Sequence, residues 1–64
     1  MLIRELEHET GLDRATIRFY EKEGLITPKR AENGYRNYSQ EDAAELKKIA
    51  LLRELGVTLE TIRN

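Results

Sequence analysis

Cysteine and tryptophan are absent from the 64 residues, and histidine, proline, methionine and phenylalanine occur once each. Serine also occurs once, at position 39. Without cysteine there are no disulfides and no thiolate metal sites, which fits a reducing cytosol. The lone His8 stands between Glu7 and Glu9 on an acidic stretch, and no His/Cys/carboxylate set has metal-ligand spacing. No Gly-rich phosphate loop occurs, and Ser39 is placed to cap a helix rather than to act as a nucleophile. The sequence therefore predicts no enzyme, no cofactor and no metal. Long apolar runs are missing too: none exceeds four residues, against the ~20 that span a bilayer. The opening Met-Leu-Ile-Arg-Glu-Leu lacks the basic start and apolar stretch of a secretory signal, so a cytoplasmic protein is expected.

What is present is a small, highly charged chain. A domain of this size buries roughly 60% of its extended surface, enough for one marginal core and too little for a large internal cavity. Eleven basic and twelve acidic residues sum to −1, which by itself argues against a nucleic-acid binder. The distribution says otherwise. Between Arg14 and Arg36 six bases face three acids, whereas the rest of the chain carries five bases and nine acids. A mixed, solvated surface is the competing account of that asymmetry.

The order of elements follows from punctuation. Ile3 to Thr10 reads as a short helix with Ile3 and Leu6 on one side, too few anchors to stand without tertiary contacts. Gly11 supplies a turn, Asp13 is a helix N-cap, and a second helix runs to about Glu23, where Gly24 ends it. Two helices joined by a short Gly-containing turn make a helix-turn-helix over about residues 3–23. Residues 27–38 carry Asn33-Gly34, a type I′ turn signal, and predict a short β-hairpin. Ser39-Gln40-Glu41-Asp42 resembles a capping box. It opens a supporting helix over about 40–55, with Ala43, Leu46, Ile49, Ala50, Leu52 and Leu55 expected in the core and Leu51 outside the main stripe. Thr58 caps a last helix over about 58–64 that bears Leu59 and Ile62.

On the second helix, Ile17, Tyr20 and Thr16 share one side at about 100° per residue. Arg14, Arg18 and Lys22, four apart, form a stripe on another, with Ala15 beside them and Phe19 at the margin. Arginine can pair with guanine O6 and N7, and both cations neutralise phosphates, so this is the pattern of a groove-entering helix. Pairing with neighbouring acids is the other reading, although only Glu21 lies within reach along the helix. In the hairpin, Tyr35 and Tyr38 flank Arg36, opposite Lys29 and Arg30. Phenol hydroxyls can bond to phosphate oxygens, and at least one of the two rings is expected to pack inward.

Helix, turn, helix, basic hairpin, helix and short helix is the order of a winged helix-turn-helix, a mainly α fold. Four blocks of sequence carry a closer likeness: Thr16-Ile17-Arg18-Phe19-Tyr20-Glu21, Glu23-Gly24-Leu25-Ile26, Asn33-Gly34-Tyr35-Arg36-Asn37-Tyr38-Ser39, and Leu52-Arg53-Glu54-Leu55-Gly56-Val57-Thr58-Leu59. In this order and spacing they closely resemble the MerR family of bacterial transcription regulators, over nearly all 64 residues. Two features of the opening depart from the family's Ile-Gly-Glu-Leu-Ala: Arg4 replaces a common glycine and adds either a phosphate contact or nothing, and Glu7 stands where a small alanine packs. Phe19 replaces a frequent tyrosine, which forfeits a hydroxyl contact.

The resemblance implies a homodimeric regulator that grips two half-sites in promoter DNA and distorts it in response to an effector, acting on RNA polymerase through the promoter. These residues would be its DNA-binding head. The dimerising helix and sensing region would lie outside them, leaving the head monomeric or weakly associating. Geometry and resemblance together place Arg14, Ala15 and Arg18 at base edges. Lys22, Tyr20, Arg30, Asn33, Tyr35, Arg36 and Tyr38 are placed at phosphates, with the Tyr20 ring packed and its hydroxyl outward. An excisionase-like protein, which bends DNA on a similar fold without sensing a ligand, is the alternative.

Overall fold

A computed structural model describes residues 1–30 and 34–63. Its elements are α1 (Ile3–Thr10), α2 (Arg14–Lys22), β1 (Lys29–Arg30), β2 (Arg36–Asn37), α3 (Gln40–Glu54) and α4 (Leu59–Arg63). The mainly helical fold with one two-stranded hairpin agrees with the winged helix-turn-helix expected from the order of elements.

The turn between α1 and α2 is built from three local devices. Thr10 Oγ1 donates to the Leu6 carbonyl at 2.8 Å and accepts from the Leu12 amide at 3.2 Å. Gly11 takes φ 74°, a left-handed value that strains any residue with a Cβ. Asp13 then accepts from the Thr16 amide at 2.8 Å, satisfying a donor that the first turn of α2 leaves open. That bond holds the Asp13 carboxyl below the usual carboxylate range.

Leu6, Ile17, Tyr20, Ile26, Tyr38, Ala43, Leu46 and Ile49 form the core. α1, α2 and α3 contribute to it, Ile26 and Tyr38 join it from either side of the hairpin, and Leu59 and Ile62 of α4 pack against its edge. Lys47 and Glu9, 3.7 Å apart, connect α3 to α1, and Arg63 reaches both the carboxylate and the carbonyl of Glu23, at 2.9 and 3.2 Å. At the start of α3 the capping box is complete, with Asp42 N to Ser39 Oγ at 3.0 Å and Ser39 N to Asp42 Oδ2 at 2.9 Å.

Leu55 corrects the expected core. It is 72% exposed, because it lies about 180° around the helix from Leu46 at 100° per residue, facing away from α1. Ala50 and Leu52 are only half-buried, and Leu51 is exposed, as its place outside the stripe predicts.

The hairpin is antiparallel, with Lys29 opposite Asn37 and Arg30 opposite Arg36. So short a ribbon is marginal alone, and the chain's first residue reinforces it. The Tyr38 amide donates to the Met1 carbonyl at 2.9 Å, and the Met1 ammonium donates to Asn37 Oδ1 at 3.0 Å and to the Tyr38 carbonyl. Gly34 has φ 86°, the left-handed value its place in the turn requires. Its neighbour Asn33 lies outside the described residues.

Candidate nucleic-acid interface

The two faces of α2 separate as the residue spacing predicts. Ile17 and Tyr20 are buried, whereas Arg14, Ala15, Arg18 and Lys22 are exposed. Phe19 is 46% exposed and tilts against Tyr20 with ring centres 5.6 Å apart.

Beside the cationic stripe lie two adjoining clefts, with Arg18 and Arg36 lining both. The first, about 280 Å³, is bordered by Arg4 of α1, Arg14 and Arg18 of α2, and Tyr35, Arg36 and Tyr38 from the hairpin side. The second, about 430 Å³, brings Lys22 and Arg30 to the same pair, with Glu21 between. The folded chain thus gathers cations from α1, α2 and the hairpin on one side of a molecule whose net charge is −1.

Two of these cations are held by carboxylates. Arg36 Nε lies 2.6 Å from Glu21 Oε1, with both side chains largely covered, and this pairing raises the arginine's pKa further. Arg14 Nη2 lies 3.2 Å from Glu7 Oε1 at an exposed site. Among the described residues, Arg4, Arg18 and Lys22 have no ion-pair partner. Arg30 donates to the Gly34 carbonyl at 3.2 Å, which folds its side chain back over the turn.

The tyrosines divide. Tyr35 is 70% exposed at the rim of the first cleft. Tyr38 packs inward, as expected of one of the two rings, and is 2% exposed. Its hydroxyl is buried and has no hydrogen-bond partner among the described residues. Burial, followed by the Glu21 charge, pushes the Tyr38 phenol up, so it is neutral at physiological pH.

Tyr20 is not brought to this side. It lines a different depression, with Thr10, Leu12, Lys47 and Ala50, because it lies about 200° around α2 from Arg18. Its ring belongs to the core. Conversely, periodicity along α2 could not reveal Arg4, which reaches the site from another helix. Its one signal in the sequence is an arginine where the family carries glycine. Glu7 and Glu21, the partners of Arg14 and Arg36, are equally invisible to spacing along a single element.

With this geometry in view, the comparisons with known proteins decide the family. The model of the MerR HTH family regulatory proteins matches residues 1–64. The chain belongs to the MerR family. It is 46% identical over 61 residues to the HTH-type transcriptional regulator CueR of Salmonella typhi, covering 94% of this chain and 44% of that one. It is 48% identical over 61 residues to the mercuric resistance operon regulatory protein of Bacillus cereus, covering 94% and 46%. A crystal structure of a MerR family transcriptional regulator from Listeria monocytogenes superposes with a TM-score of 0.88 at 33% identity, over 94% of this chain and 46% of that one. The chain thus spans a little under half the length of these MerR relatives. Among the described residues no helix is long and apolar enough to cross a membrane.

Proposed function

We propose that this chain is the DNA-binding head of a MerR-type transcription regulator, lodging α2 in the major groove of double-stranded DNA and laying the hairpin along the backbone. The observation that carries this reading is the exposed Arg14, Arg18 and Lys22 stripe, continued by Arg30 and Arg36 across the adjoining clefts. Arg14 and Arg18 read base edges, where a guanidinium bonds guanine O6 and N7 together, and Ala15 offers a methyl to thymine. Lys22, Arg30, Asn33, Tyr35, Arg36 and Tyr38 hold phosphates, which fixes register without reading sequence. The protein acts by binding rather than catalysis.

By family likeness, the whole regulator is a cytoplasmic homodimer that grips two half-sites. An effector bound outside these residues makes it bend and untwist promoter DNA and realign the promoter for RNA polymerase. The 64-residue head alone is monomeric or weakly associating.

Selection of bound duplexes from a randomised pool, followed by titration of the preferred and scrambled sequences at several salt concentrations, tests the reading. A preferred sequence with steep salt dependence is expected. Failure to retain any duplex at low salt would overturn it.

A further inference from the structure

The fold treats the two arginines given to base edges differently. Among the described residues Arg18 has no ion-pair partner. Arg14 is tethered across the helix-turn-helix to Glu7 of α1, with Nη2 3.2 Å from Oε1. The carboxylate sits back from the surface: its side chain is 29% exposed against 53% for the arginine, so the guanidinium reaches further into solvent. Arg14 is also the first residue of α2, whose first turn holds no acid. A cation there opposes the helix dipole, so the stability of α2 gives no reason for its place. The bond to Glu7 engages Nη2 alone and leaves the other N–H donors of a rigid, planar fork for a second acceptor.

We propose that Glu7 is a positioning residue for base reading: its carboxylate holds the Arg14 guanidinium in the orientation that donates to guanine O6 and N7, and so sets discrimination at one base pair without touching DNA. The proposal rests on the DNA-binding reading above and adds to it a specificity-determining residue on α1. A free arginine loses its rotamer freedom when it meets a base, whereas a tethered one has already lost part of it. A tethered guanidinium is also less able to swing to a nearby phosphate when the base is wrong, so the mismatched contact stays unmade and counts fully against that sequence. The same carboxylate repels the phosphates of every duplex. Glu7 therefore lowers affinity for all DNA while raising the distinction between sequences, and α1 takes part in recognition from behind the helix that does the reading.

The test compares the 64-residue chain with Glu7→Ala, Glu7→Gln, Arg14→Ala and the double variant Glu7→Ala/Arg14→Ala. Affinities for the duplex selected from the randomised pool and for a scrambled duplex are measured at low salt. Glu7→Ala is expected to tighten the scrambled duplex more than the preferred one, narrowing their affinity ratio about twofold to fivefold, the range of an exposed ion pair. Glu7→Gln removes the charge but keeps an oxygen for the guanidinium to bond. It is expected to tighten both duplexes and to keep the ratio near that of the parent chain. With Arg14 already replaced by alanine, Glu7→Ala should leave the ratio unmoved, because Glu7 acts through Arg14 alone. Three results overturn the proposal. The first is a ratio that Glu7→Ala leaves intact, with or without a fall in the urea midpoint, since a pair that serves only stability moves the midpoint and not the ratio. The second is a ratio that Glu7→Gln narrows as far as Glu7→Ala does, which leaves only the effect of charge. The third is a ratio that Glu7→Ala still narrows when Arg14 is absent, which puts Glu7 itself on a base. A parent chain that binds no duplex, or binds all duplexes equally, rejects the base-reading role of α2, a result distinct from these three.

Discussion

Arg36 Nε and Glu21 Oε1 stand 2.6 Å apart, joining the hairpin to the last turn of α2. Glu21 comes from α2 and Arg36 from β2, so the bond fixes the angle between the two parts proposed to meet DNA together. Being partly covered, it is less open to screening than a surface pair. Arg36→Ala is expected to weaken binding to all duplexes alike and to lower the salt slope by about one, as a backbone contact does. A changed order of sequence preference in competition titrations would contradict the role given to Arg36.

Arg18 is the opposite case. It is exposed, lacks an ion-pair partner among the described residues, and lies in the middle of the stripe. Its replacement by alanine should cost about 1–3 kcal/mol on the preferred duplex and relax discrimination at the base it reads. Equal losses on preferred and scrambled DNA, measured by fluorescence anisotropy, would show that it touches only phosphate.

Glu7 holds Arg14 at 3.2 Å and places a carboxylate beside a surface meant for a polyanion. Glu7→Ala should release the guanidinium, tighten binding to every duplex at low salt, and steepen the salt dependence. Unchanged affinity at low salt would mean that the pair does not compete with DNA.

Asp13 gives the fold an acid limb. Its folded-state pKa is depressed by the bond to the Thr16 amide, so its stabilising effect is complete above the unfolded value near 3.9 and disappears as pH falls through the lower folded one. Asp13→Ala should therefore narrow the stability gap to the parent chain as pH drops from about 5 toward 2. Thermal melts across that range check the sign, since a gap that widens in acid is inconsistent with it.

The interior is small enough that one residue matters. Leu46 is fully buried, and Leu46→Ala should cost about 2–5 kcal/mol, a large part of the total stability of so short a chain. Ser39→Ala, which breaks only the capping box, should cost about 0.5–2 kcal/mol. Urea titrations of the two variants should preserve that order.

Much of this architecture is legible in the residues because it is local. Gly11 with Asp13 and Ser39 with Asp42 each encode a turn or cap within four positions. The period of Ile17 and Tyr20 against Arg14 and Arg18 separates the inner face of α2 from the outer. What spacing misreads is what depends on docking. Leu55 has the chemistry of a core residue, but α3 offers it no neighbour on that side. The partners of Arg14 and Arg36 lie seven and fifteen positions away, on elements whose relative placement no single-helix periodicity contains. Arg4 stands out in the sequence only as a departure from a family pattern, and its neighbours appear only when the hairpin folds beside it.

The bonds from Met1 to Asn37 and Tyr38 have a practical consequence. The ammonium and carbonyl of this residue close the base of the hairpin, so a purification handle fused at that end replaces the charged amine with an amide and inserts chain beside Leu2 and Ile3. Preparations tagged there should understate DNA affinity through a loosened hairpin, while the same handle beyond α4 leaves the ladder intact. Choice of fusion end is thus itself a perturbation, and it acts on the elements meant to grip the backbone.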